Sequence, residues 1–259
     1  MPDLSSCIIL GFVQGLTEFL PVSSSAHLVI FQKIFGWTGS NILFDVLVHL
    51  GTLLSVVILL WNEIKQVLSR PRYFLLVFSS TLTTVVVVLP FRKLIERTFE
   101  STEAVAFFLL VTGFILLAVE AYLHVAKSKE IKKLTDIRLI DSILIGVAQG
   151  IAVLPGISRS GATIAAGIFS RIERRNAAKY SFLISIPAVL GANILELKDI
   201  QFNFSEISAG YLAGMFVAFI SGLLAVYFMV RLLNKFKFWW FALYCWFLGA
   251  LILIGERLL

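Results

Sequence analysis

The chain has 259 residues, 59% of them hydrophobic and 15% charged, with a mean hydropathy of +0.93. A soluble domain averages about 45–50% apolar and about 25% charged residues, so the composition excludes a soluble enzyme, a disordered chain and a disulfide scaffold. The net charge of +6 does not read as a nucleic-acid stripe, because the basic residues fall between apolar runs, and no nucleic-acid partner is expected.

In chain order, the N-terminus MPDLSS carries no Lys or Arg ahead of its apolar stretch, so no cleavable targeting signal is expected. Residues 4–31 are apolar but broken by Gln14, Glu18 and the run Pro21-Val22-Ser23-Ser24-Ser25. Each flank is too short to cross a bilayer, which takes about 20 residues. The spacing predicts a re-entrant pair of half-helices over 4–35. Three spans are predicted next, over 42–62, 73–91 and 104–126, and then a basic connector, 127–138. A second broken region, 139–170, is interrupted by Gln149 and by Pro155-Gly156-Ile157-Ser158-Arg159-Ser160-Gly161, and predicts a second hairpin. A short helix over 180–195 and spans over 207–230 and 238–255 complete an all-α, polytopic membrane helix bundle. Open strands are excluded as spans because their edge groups would be unpaired in lipid. Cys7 and Cys245 lie in apolar runs and read as buried small hydrophobes.

The basic residues orient these elements. With the first hairpin dipping in from outside, fifteen Lys and Arg fall on inner segments, within 65–72, 127–138, 171–179 and 231–237. Six fall outside: Lys33, Arg92, Lys93, Arg97, Lys198 and Arg257. That bias favours both termini on the outer, periplasmic side. The two broken regions also resemble each other, QGLTEFLP at 14–21 against QGIAVLP at 149–155. A hairpin entered from outside and another entered from inside make the halves, 1–126 and 139–259, inverted repeats within one membrane domain. That architecture places a site near the midplane between the halves.

Ionisable groups at membrane depth cost about 2.5–3.5 kcal/mol each on insertion scales, so Glu18, His27, Asp45, His49 and Arg159 are expected to face protein or a wet cavity. Gln14 and Glu18 stand at i, i+4 on one helix face. Their oxygens can share a divalent cation or a water, and Glu18 can be a general base or simply the partner of Arg159. Ser23, Ser24 and Ser25 precede His27. One of these serines is expected to cap a helix; a Ser with a His at i+3 can equally be an activated nucleophile, or the His can itself attack phosphorus. Around Arg159, glycine, free N–H groups at a helix start and a guanidinium fork suit a phosphate, with Ser158, Ser160 and Thr163 as hydroxyl donors. Asp45 and His49 are expected to line the cavity. Trp239, Trp240, Tyr244 and Trp246 read as interfacial or lipid-facing aromatics, Glu120 and His124 as solvated near the inner interface. Gly210 and Gly214 read as a close-packing GxxxG pair, which together with the short 180–195 helix suggests a homodimer.

QGLTEFLPVSSSAHL at 14–28 and LPGISRSGATI at 154–164 resemble the BacA-type undecaprenyl-diphosphate phosphatase family. FDVLVHLGTLLSVV at 44–57 and AAKYSFLISIPAVLGA at 177–192 fit it too, so the resemblance covers most of the chain. It implies a bacterial inner-membrane enzyme that removes the terminal phosphate of the C55 polyprenyl diphosphate, regenerates the lipid carrier for peptidoglycan and other wall polymers, and is associated with bacitracin resistance. It puts the acidic motif on Gln14 and Glu18, the key Ser and His on Ser24 and His27, and the phosphate-binding motif on Ser158, Arg159, Ser160, Gly161 and Thr163. Ala26 stands where the family often has Gly. The expected chemistry is phosphoanhydride hydrolysis in a pocket opening to the periplasmic side. Glu18, Ser24, His27 and Arg159 are its catalytic groups. Ser23 joins the diphosphate-binding set, and Glu18 with Gln14 holds Mg or Ca. Attack by Ser24, by His27 or by water remains open. The alternative is a transporter or flippase of a polyprenyl phosphate.

Overall fold

The computed structural model describes residues 3–37, 41–125, 132–199, 207–233 and 235–258. Lys127 and Lys129 of the basic connector lie outside the described residues, as does the Arg257 side chain.

The first polar break yields two half-helices, α1 (Leu4–Phe19) and α2 (Ser24–Ile34). Asp3 caps the start of α1, its side chain accepting from Ser6 N at 3.3 Å. Leu20 leaves the helix in extended conformation, as a residue before proline must. At 16 residues α1 is about 24 Å long, short of the roughly 30 Å hydrocarbon core. The second break yields α8 (Leu139–Ile151) and α9 (Arg159–Phe169), with Ser158 capping α9 through Gly161 N at 3.1 Å. Between the pairs lie α3 (Ile42–Leu59), α4 (Trp61–Ser69), α5 (Pro71–Val88), α6 (Arg92–Phe99) and α7 (Thr102–Val125); after them come α10 (Arg174–Asp199), α11 (Ala209–Leu232) and α12 (Phe238–Leu258).

Among the described residues six helices are long and apolar enough to cross a membrane: the five predicted spans and the helix over 180–195. The helix predicted as short, 180–195, instead runs 26 residues as α10. Its polar first turns, Arg174 to Lys179, mask its true start in a hydropathy reading. The short helices α4 and α6 have no counterpart among the predicted elements. No strand occurs among the described residues; the one irregular pairing is a parallel bridge between Lys132 and Ile172.

Small residues set the packing. α1 lies along α11, α8 along α5, and α7 along α12. A Cβ on Gly11 would overlap the Gly214 carbonyl, and one on Gly146 would come within 2.9 Å of Thr83 Cβ, so both helices meet their neighbours backbone to backbone. The expected GxxxG pair therefore acts within the chain, Gly210 against Cys7 and Gly214 against Phe44, and lends no support to a dimer. Hydroxyls add interhelical ties: Ser80 Oγ donates to Ser142 O at 2.7 Å and Thr84 Oγ1 to Gly146 O at 3.0 Å. Cys7 and Cys245 are buried and free, as expected of small core hydrophobes.

Candidate active site

The two turns meet in the interior. Ser160 Oγ donates to Leu20 O at 2.9 Å, and Cys245 Sγ reaches Pro21 O at 3.7 Å. Gly161 eases this approach, because a Cβ there would sit a tight 3.2 Å from Pro21 Cβ. Ser23 adopts a left-handed φ of +65°, a conformation that costs a non-glycine residue energy and recurs at functional sites. It turns the chain so that α2 begins immediately beside the end of α1.

Glu18 stands at the centre. Its Oε1 accepts from Arg159 Nη2 across 141 residues of sequence. Its Oε2 accepts from Gln14 Nε2 at 3.0 Å and from Ser24 Oγ at 2.5 Å. His49 Nε2 lies 3.8 Å from the same oxygen, oriented by a 2.7 Å bond from its Nδ1 to Asp45 O. Asp45 in turn accepts from Gln32 Nε2 at 2.7 Å. The predicted Gln14, Glu18, Ser24 and Arg159 thus form one cluster. His49, expected only to line the cavity, contacts the central carboxylate.

His27 faces elsewhere. Its Nδ1 is 2.7 Å from Ser23 O, and its Nε2 is 2.7 Å from Tyr244 Oη. A carbonyl only accepts, so Nδ1 carries the proton and Nε2 takes the tyrosine O–H. The i+3 spacing to Ser24 therefore does not produce a Ser–His pair; the base touching Ser24 is Glu18. Ser23 is likewise turned inward, its carbonyl on His27 and its hydroxyl 3.2 Å from that of Ser25.

Around Arg159 the hydroxyls are structural. Ser158 caps α9 and donates its own N–H to Thr112 Oγ1 at 3.0 Å. Ser160 ties the two turns together, and Thr163 Oγ1 donates to Arg159 O and pairs with Ser181 Oγ. All three are buried and hydrogen-bonded within the protein. The hydroxyls of Ser158, Ser160 and Thr163 thus bond within the turn and its neighbours, and Gly161 lies among them, while Arg159 Nη1 keeps no hydrogen-bond partner.

Two polar atoms of the cluster, Gln14 Oε1 and Arg159 Nη1, are buried without a hydrogen-bond partner. Leaving such groups unmade costs about 1–3 kcal/mol each, more for a charged one, so a cluster that keeps an unfilled acceptor and an unfilled cationic donor has the polarity for a ligand that brings both a cation and an anion.

Three partnerships are not visible in the sequence. Tyr244 reads as one of several interfacial aromatics, yet its hydroxyl holds His27; nothing local signals this, since 217 residues separate them. Trp246 packs on Phe114 and donates to Leu110 O at 3.1 Å, and Glu120, expected to be solvated, accepts from Phe238 N at 2.8 Å at the start of α12.

The model of the family described as Bacitracin resistance protein BacA matches residues 7–251. The chain belongs to this family. Its BacA relatives include the undecaprenyl-diphosphatase of Carboxydothermus hydrogenoformans, 44% identical over 255 residues that cover 96% of each chain. That of Halothermothrix orenii is 37% identical over 258 residues, 97% of this chain and 98% of the relative. That of Thermodesulfovibrio yellowstonii is 39% identical over 258 residues, 98% of each. The BacA match spans both turns, so Glu18 and Arg159 both lie inside it.

Proposed function

We propose that this chain hydrolyses undecaprenyl diphosphate to undecaprenyl phosphate and inorganic phosphate, recycling the lipid carrier of peptidoglycan synthesis. One observation carries the reading: Arg159 is drawn into the protein interior against Glu18 while its Nη1 stays buried and unpartnered. An apolar pair would serve packing as well or better, so the charges answer to a substrate. The names of the family's relatives supply the diphosphate lipid.

The residues divide the work as follows. Arg159 grips the terminal phosphoryl oxygens with its planar fork and stabilises the charge that develops on them. Once the fork turns to phosphate, Glu18 is released to act as base. Ser24 Oγ, already on Glu18 Oε2 at 2.5 Å, gives up its proton there and attacks the terminal phosphorus. The new O–P bond forms as the bridging P–O bond breaks, and undecaprenyl phosphate leaves; water then frees the phosphate from Ser24. His27, held by Tyr244 and Ser23, fixes the start of α2 on which Ser24 rides. A divalent cation, Mg or Ca, is the proposed cofactor. No cluster of three His, Cys, Asp or Glu suited to a metal occurs among the described residues. Glu18 and the unpartnered Gln14 Oε1 nevertheless supply oxygen donors of the kind a hard cation takes alongside substrate phosphate. When bound, the ion neutralises phosphate charge.

The same reading places the protein in the bacterial inner membrane with both termini and the pocket on the periplasmic side, and takes 1–126 and 139–259 as inverted repeats. The charge bias supports the first. The second is supported by α1 lying on α11 as α8 lies on α5, and by Gln14-Gly15 and Gln149-Gly150 occupying like places on α1 and α8.

Phosphate release from the C55 diphosphate by purified protein tests the function. Glu18→Ala and Arg159→Ala are each expected to lose at least about a hundredfold in rate. A chelator is expected to abolish release, and a phosphorylated Ser24 to be trappable. Translocation of the headgroup with no phosphate released would favour the transporter reading.

A further inference from the structure

At the far end of α9 from Arg159 lies a second polar feature, a cleft of about 880 Å³. Its floor is an ion pair, Lys132 Nζ on both carboxylate oxygens of Asp141 at 2.9 and 2.8 Å. Arg138 and Arg171 stand exposed at its rim, and Leu144 and Phe169 form an apolar wall that is also exposed. Lys132 and Asp141 neutralise each other. Asp136 is turned to Lys133 N at 3.0 Å and Thr135 Oγ1 at 3.1 Å, which leaves the two guanidinium groups without a carboxylate partner among the described residues.

Arg171 holds its place at a cost. Its φ is +64°, the left-handed position after a helix end that glycine or asparagine normally fills. The backbone is pinned there by Lys132 N on Arg171 O at 2.8 Å and Ile172 N on Gly167 O at 2.9 Å. A residue that takes this conformation unfavourably, and then projects a long cation into a cleft, points to a ligand.

We infer that this cleft is a binding site for an anionic phospholipid. The headgroup phosphate lies between Arg138 and Arg171, and the acyl chains run along Leu144 and Phe169. Charge complementarity selects an anion, and the apolar wall continuous with the rim selects one that carries hydrocarbon. The cleft is lined from 132–144 and 166–171, beside the basic residues that the charge bias puts on the inner side. It is separate from the Glu18 cluster and does not depend on the proposed reaction.

The test is native mass spectrometry of the full chain in neutral detergent, counting adducts of phosphatidylglycerol and phosphatidylcholine with matched acyl chains. About 1 kcal/mol per interfacial arginine is about fivefold in affinity. Arg138→Gln and Arg171→Gly are therefore each expected to cut the preference for phosphatidylglycerol about fivefold, and together to remove it. Arg171→Gly is the decisive variant: glycine adopts the same φ freely, so its melting temperature holds or rises and lost binding is not misfolding. Equal retention of both lipids by the wild type, or an unchanged preference in the double variant, overturns the proposal. So does a double variant that loses adducts of undecaprenyl phosphate and keeps those of phosphatidylglycerol.

Discussion

Glu18 draws partners from three directions: Gln14 one turn back on its own helix, Ser24 across the first turn, and Arg159 from the other half of the chain. Such convergence is poor economy for stability. A buried ion pair roughly breaks even against apolar residues of similar volume, whereas removing one partner costs about 3–5 kcal/mol. Glu18→Ala is therefore expected to lower stability by about that amount, because it strands Arg159, and to abolish phosphate release. The double variant Glu18→Leu/Arg159→Met is expected to regain most of the stability and none of the activity. Thermal unfolding in detergent beside a phosphate-release assay reads both, and an active double variant would remove the pair from the chemistry. Tyr244 is the subtler case. Tyr244→Phe removes one hydrogen bond to His27, worth about 1 kcal/mol, and is expected to lower kcat/KM about fivefold with the fold intact. Trp240→Phe, exposed on the same helix, is expected to match the wild type in the same assay.

The helices are held by glycines at crossings, and these crossings carry the site. Gly15 precedes Glu18 by less than one turn, and a Cβ on it would sit 2.5 Å from Ala218 O and 2.8 Å from Gly222 N of α11. Gly15→Ala is expected to push α1 off α11, lowering both the melting temperature and the rate. Gly191, in the middle of α10, has nothing within 4 Å of its added Cβ. Gly191→Ala is expected to leave the rate unchanged and to stabilise by about 0.5–1 kcal/mol. A Gly15→Ala protein with wild-type melting and turnover would mean that the crossing does not position Glu18. The broken helices were legible in the sequence because Pro21 and Pro155 end them and serines restart them, all within a few residues. The same locality exposed Gln14, Glu18, Ser24 and Arg159. α4 and α6 escaped because short amphipathic helices carry little mean hydropathy, and α10 lost its polar first turns for the same reason. The inward facing of Ser158, Ser160 and Thr163 was not legible either. A hydroxyl at a helix start looks the same in sequence whether it meets a phosphate or the carbonyl of Leu20.

At the scale of the whole molecule, orientation is set by charge. The six apolar helices and two short pairs among the described residues admit two opposite insertions, and fifteen basic residues against six favour the one with α2 ending outside and the 132–138 segment inside. The choice matters because, on the proposed function, it decides which leaflet delivers the diphosphate to Ser24 and Arg159. The chain brings its own control: Cys7 and Cys245 are completely buried, so the native thiols are expected to stay silent toward a membrane-impermeant maleimide. Ile34→Cys, at an exposed position near the end of α2, is expected to label in intact spheroplasts. Thr135→Cys, exposed on the opposite face between α7 and α8, is expected to label only after the cells are broken. The reverse pattern would turn the molecule over, with the pocket opening to the cytoplasm and the arginine-rimmed cleft facing the periplasm. Labelling of both variants in intact cells would mean that one of the short helix pairs crosses the bilayer completely instead of turning back within it.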